Sequence, residues 1–262
     1  MNSQDYQDFK TKNFPAIVKE DRIPGETVLY YGKDQKEKST IPESMSLHLK
    51  PDTDWNQHTI EYTWNSLGYR GPEPDYSAKH KILFAGGSLL VGCGLPLEGI
   101  IPELIVQHYG ADYLNISDYD SLTALVDPLR DVGVNYDPDI VIIGDTRFVA
   151  ENNWLMAYIK TNLKRGNLNI GNQELQFFNE TFNKTNNDIL KIFEGYVNHL
   201  FPRAKVIFLI APRKNFKFEN DIENKVTITR DMMIDLSRDN VHPGFKTHQV
   251  IAQKLIEAID EK

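Results

Sequence analysis

The sequence predicts an α/β protein in which a parallel β-sheet is covered by helices on both faces. Two observations carry this expectation. From Lys81 onward, short apolar runs of strand length alternate with longer segments of helical periodicity, and strands that read as unbroken apolar runs are those buried on both faces. The chain has 262 residues, 40% of them hydrophobic and 11% aromatic, enough to bury one substantial core with a smaller appendage.

The appendage comes first. Residues 1–79 read as an N-terminal, β-containing accessory region, with a polar start, the Lys-rich stretch "GKDQKEKS" and several prolines. It ends in the alternating "HTIEYTW" from His58 to Trp64, the pattern of a half-exposed strand. Residues 80–262 form the main domain. Its elements follow in order: the strand "KILFAG", a helix from about Glu98 to Tyr109, the strand "DYLNI", a helix from about Ser121 to Arg130, and the strand "DIVIIG". After a long polar stretch come a helix from about Glu174 to Leu200, the strand "KVIFLIA", and a closing helix from about Phe245 to Ile259. There is no internal repeat.

Composition excludes several classes of function. The net charge of −8 comes from acids spread along the chain with no basic block to offset them, which argues against a nucleic-acid surface. No apolar stretch approaches the roughly 20 residues of a membrane helix, and "MNSQDYQDFK" lacks the parts of a secretion signal. A soluble, cytoplasmic chain is expected. The single cysteine, Cys93, reads as a small buried filler, and no Cys and His spacing suggests zinc. Asp118, Asp120 and Asp145 read as solvated or helix-capping carboxylates, so neither a metal nor a cofactor is expected.

In open α/β sheets, ligands bind beyond the carboxyl ends of the strands. Four segments qualify: "GGSLLVG", "SDYDS", "GDTRF" and "RDNVHPG". The first has no lysine for a phosphate loop and no G-x-G-x-x-G, and Leu90 stands where a nucleophile elbow needs its second glycine. What remains is Ser88 at a tight turn, and a serine in that place is on its own more often a helix cap than a nucleophile. Asp239 and His242 sit three apart before a Pro-Gly turn. One short loop could hold the carboxylate against the imidazole while the other ring nitrogen takes the Ser88 proton. Read alone, the same pair is as readily a capping aspartate and a surface histidine.

The blocks "KILFAGGSLLVGCGLP", "YLNISDYDS", "PDIVIIGDTRF" and "DNVHPGFKTHQVIAQKL" resemble, in order and spacing, the four sequence blocks of the SGNH, or GDSL-like, hydrolases. The resemblance runs from about residue 80 to the end, and "NSLGYRGPEP" is similar to the segment preceding the first block in many members. It implies a flavodoxin-like three-layer α/β/α sandwich and a triad of Ser88, Asp239 and His242. Family members remove acyl groups, often acetyl, from carbohydrates, lipids or other esters. The resemblance therefore implies a serine esterase acting on a small-molecule or glycan ester. The helper positions depart from the pattern. Gly87 replaces the aspartate of G-D-S, Asp120 stands where a glycine supplies a backbone N–H to the oxyanion, and Thr146 replaces the asparagine of G-x-N-D. Ser88, Asp120 and Thr146 are the oxyanion-hole candidates, and Gly87, Asp145, Arg147 and Arg70 the substrate-binding candidates. Losing one side-chain oxyanion donor typically lowers turnover on the order of 10² to 10³. A catalytically impaired binding or assembly protein and an acyltransferase using the same triad are the alternatives. "WLMAYIKTNLKRG", from Trp154 to Gly166, reads as a lid or equally as a packed short helix.

Overall fold

The computed structural model describes residues 27–29, 50–51, 61–117, 122–144, 188–211, 222–237 and 242–261. Its central sheet has five parallel strands: β4 (Lys81–Gly86), β5 (Asp112–Asn115), β6 (Ile140–Gly144), β7 (Lys205–Ile210) and β8 (Lys225–Thr227). They are ordered β5-β4-β6-β7-β8. Counted in chain order within the sheet this is 2-1-3-4-5, the doubly wound flavodoxin-like arrangement. The expected α/β sandwich with a parallel sheet is present. Two small ladders accompany it: β1 (Thr27–Leu29) pairs antiparallel with β3 (Glu61–Thr63), and β2 (Lys50–Pro51) pairs parallel with β9 (Asp235–Leu236).

Successive residues of each central strand face opposite layers, as the period of two requires. Ile82 and Phe84 of β4 pack with Leu89, Leu90, Ile101, Ile105, Ile251 and Leu255 on one face. Leu83 and Ala85 pack with Leu122, Leu125, Phe193 and Val197 on the other. The helices of the first face are α1 (Ser88–Val91), α2 (Ile101–Tyr109) and α5 (Phe245–Asp260). Those of the second are α3 (Leu122–Pro128) and α4 (residues 188–200). In α5 the buried residues His248, Ile251, Ala252, Leu255 and Ile256 recur at helical spacing, so one stripe of the helix meets the sheet.

Three elements differ from the sequence reading. The helix expected from Glu98 starts at Ile101, because Ile100 is extended (φ −92°, ψ 154°) and separates it from a 3-10 turn at Leu97–Gly99. Pro102 then occupies the first turn, where its missing N–H leaves no bond unmade. The helix expected to stop at Arg130 continues past Pro128 through a π turn, Leu129–Gly133, to Tyr136, and ends where Asp137 turns left-handed (φ 51°). Burial of Leu129, Gly133 and Tyr136 carries it on, overriding the weak helix preference of proline and glycine. Finally, β8 was not anticipated, since three residues are too few for a recognisable alternation. The start of the strand expected from His58 and the first part of the helix expected from Glu174 lie outside the described residues.

Candidate active site

Ser88 is the first residue of α1, directly beyond the carboxyl end of β4, and is half-buried. Strand β4 is where the chain begins to build the sheet in both directions, so the crevice between the ends of β4 and β6 is the topological switch point at which such sheets bind ligands. Two glycines bring the parts together. Gly86 and Gly144 are register partners at the ends of β4 and β6. A Cβ added at Gly86 would lie 2.3 Å from the Gly144 carbonyl oxygen, and one at Gly144 would lie 2.4 Å from Leu90 Cδ1. The absence of both side chains lets α1 settle onto the strand ends. Gly92, left-handed at φ 71°, ends α1 against the Ile100 side chain.

His242 is half-buried and stands on a turn whose ends are fastened. The Ser237 N–H donates to the His242 carbonyl at 2.8 Å, and Leu236 bridges Pro243. Below it, the Asp235 carboxylate is 4% exposed. It accepts from the N–H groups of Lys246 (3.0 Å) and Thr247 (2.9 Å) and from Thr247 Oγ1 (2.8 Å), capping α5 from outside. Gly244 permits this approach, since a Cβ there would lie 2.5 Å from Asp235 Cγ.

The segment 99–101 links the two turns. A Cβ on Gly99 would lie 3.0 Å from the Phe245 ring, and the Ile101 N–H donates to His248 Nδ1 at 3.1 Å. His248 is buried and acts as an acceptor, so its imidazole is neutral. Burial first, then the neighbouring His242 and Arg70, lowers its pKa to about 3. Ser88 and His242 are thus carried on two turns joined through Ile100, Ile101 and His248. Asp239, Asp120, Asp145, Thr146 and Arg147, and the segment Trp154–Gly166, lie outside the described residues.

Arg70 differs from expectation. It is 2% exposed, and its guanidinium donates to the carbonyls of Val91 (2.7 Å), Gly92 (2.8 Å) and Leu95 (2.6 Å). Its charge is occupied by the backbone behind Ser88 and is not presented to a ligand. The local cause is Asn65, whose Oδ1 accepts from the N–H groups of Leu67 and Tyr69 and whose Nδ2 donates to the Pro72 carbonyl. That turn, through left-handed Gly68, aims Arg70 inward. The sequence reading also passed over Asn115, Asp235 and His248. Two of them left a trace: Asn115 is a polar residue closing an apolar strand, and His248 falls on the apolar stripe of α5.

Cys93 is buried, 5% exposed. Among the described residues no group of three or more His, Cys, Asp or Glu side chains is placed to hold a metal. Among the same residues no helix is long and apolar enough to cross a membrane.

No family model matches the chain. No curated protein matches it. Solved structures do. A lipase from a goat rumen metagenome superposes with a TM-score of 0.46 at 13% identity, over 69% of this chain and 97% of its own. A carbohydrate esterase family 2 enzyme from Corynascus thermopiles gives a TM-score of 0.43 at 15% identity, over 72% and 68%. A GDSL-like lipase from Parabacteroides merdae gives 0.43 at 14%, over 71% and 98%. A likeness at this level concerns the course of the chain and transfers no residue role.

Proposed function

We propose that this protein is a serine acyl hydrolase, an esterase of a small-molecule or glycan ester, with Ser88 as nucleophile, His242 as base and Asp239 as the group that orients the imidazole. One observation carries the reading: Ser88 begins a helix at the carboxyl end of the strand where the sheet reverses its order, and the turn bearing His242 is tied to the same neighbourhood through Ile101 and His248. The sequence resemblance supplies the third member. In the first half-reaction Ser88 Oγ attacks the acyl carbonyl as its proton passes to His242, and the departing alkoxide takes that proton. Water then attacks the acyl-serine with His242 again as base, releasing the acid. The developing oxyanion would be met by backbone N–H groups at Ser88 and Asp120 and by the Thr146 hydroxyl. Acetyl is the acyl group that the resemblance favours.

The departures at Gly87, Asp120 and Thr146 favour a second reading, a binding protein that keeps the pocket without turnover. A fluorophosphonate probe separates the two. The expected outcome is stoichiometric labelling at Ser88, located by peptide mass, and its loss in Ser88→Ala and His242→Ala. Absence of labelling in the wild-type chain, with no activated acetyl ester cleaved, would leave the binding reading standing.

A further inference from the structure

The helix that carries Ser88 is a single turn, and a single turn is unstable alone, because nucleating it fixes several residues for one hydrogen bond. Its terminal carbonyls also lack partners within the helix. Here those carbonyls are met from outside. Asn115 Nδ2 donates to Leu90 O at 3.0 Å, and Arg70 takes the carbonyls of Val91, Gly92 and Leu95. The Gly94 N–H donates to Tyr62 Oη at 2.8 Å, and the Arg70 guanidinium lies 3.7 Å from the Tyr62 ring centroid. The described partners of this buried cation are neutral: three carbonyls and an aromatic face. Burying a cation costs its hydration, and among the described residues it is these carbonyls and the Tyr62 face that the guanidinium gains in return. A planar fork reaches three carbonyls at once; an ammonium does not.

We propose that Arg70, stacked on Tyr62, is a positioning residue that holds the Ser88 turn in shape. The segment ahead of the sheet is then a working part of the site and not an appendage to it. The catalytic consequence rests on the reading of Ser88 as nucleophile; the structural one does not.

The test compares wild type with Arg70→Gln, Arg70→Lys and Tyr62→Phe in the full chain, by amide hydrogen exchange and by the rate of fluorophosphonate labelling. The amides of Gly92, Cys93 and Leu95, which donate to the carbonyls of Ser88 and Gly92, should exchange faster in Arg70→Gln by on the order of tenfold or more, with those of α2 unchanged. Labelling should slow by on the order of 10²-fold with little change in half-saturating probe, since a small misplacement of the nucleophile acts on rate and not on affinity. Arg70→Lys should fall between, and Tyr62→Phe should show the smaller effect of losing the bonds that the Tyr62 hydroxyl makes with the Gly94 N–H and the Gly92 carbonyl. If Arg70→Gln does not fold, the other two variants decide. Exchange at the wild-type rate in the turn, or acceleration spread evenly over the whole domain, would overturn the proposal. A wild-type chain that the probe does not label removes Ser88 as nucleophile, while the exchange data still decide whether Arg70 holds the turn.

Discussion

The imidazole of His248 is 1% exposed, and its Nδ1 caps the first N–H of α2 from a helix that follows it in the chain by 147 positions. Its pKa of about 3 lies below the ordinary value of 6.5, because burial, His242 and Arg70 all oppose a second positive charge. As the pH falls, the unfolded chain therefore takes up this proton first. The stabilisation is fully present above about 6.5 and is lost progressively toward about 3. His248→Asn should keep an acceptor near Nδ1 and remove the titration. Thermal melts between pH 7 and 4.5 should show a shallower loss of stability in the variant than in the wild type, although the variant starts lower at pH 7 by about 1–3 kcal/mol through lost packing. Identical slopes would assign the proton uptake to other groups.

The glycines at the strand ends act at the level of whole elements, because they set how closely α1 approaches β4 and β6. Gly144→Ala would drive a methyl group into Leu90, 2.4 Å from Cδ1, and α1 must lift to make room. Gly110 offers a control. It ends α2 in the left-handed region (φ 59°) with nothing within 4 Å of an added Cβ, so Gly110→Ala should cost only the conformational strain, about 1–2 kcal/mol. Gly144→Ala should lose about 1–3 kcal/mol from overpacking, read as a lower urea midpoint at constant slope. It should also slow Ser88 labelling, whereas Gly110→Ala should leave it unchanged.

For the molecule as a whole, stability resides in the two apolar layers that the sheet separates. Leu83 is fully buried at the centre of one of them, against the helical run that passes through Gly133. Leu83→Ala should therefore cost about 2–5 kcal/mol. The ion pair between Arg203 and Asp137 is well formed at 2.8 Å, but the two side chains are 81% and 64% exposed. Solvent screens it, and Arg203→Ala should cost no more than about 1 kcal/mol. Chemical denaturation of the two variants side by side checks the order. A larger loss in Arg203→Ala would mean that the loop closing the helical run at Asp137 contributes more than the burial pattern implies.

The central strands β4, β5, β6 and β7 and the closing helix were legible in the sequence, because an unbroken apolar run of strand length, or a stripe of period 3.6, is a local pattern imposed by burial. The sequence also singled out Ser88, where an apolar strand breaks into glycines, and His242, three residues after Asp239; the fold puts Ser88 at the carboxyl end of β4 and His242 just ahead of α5. Local signals failed where tertiary packing overrode them, in the helix that runs on past Pro128 and in the three-residue strand β8. They name no partner where a polar side chain serves a distant backbone. Arg70 looks in sequence like a residue on an exposed turn, and His248 stands on the apolar stripe of α5 with nothing nearby in the chain to say what it binds. Only the folded chain brings Arg70 to carbonyls 21 to 25 positions away and His248 to an N–H 147 positions away. A hydrogen bond of that span leaves no periodicity, since its partners are chosen by the packing of elements and not by their neighbours in the chain.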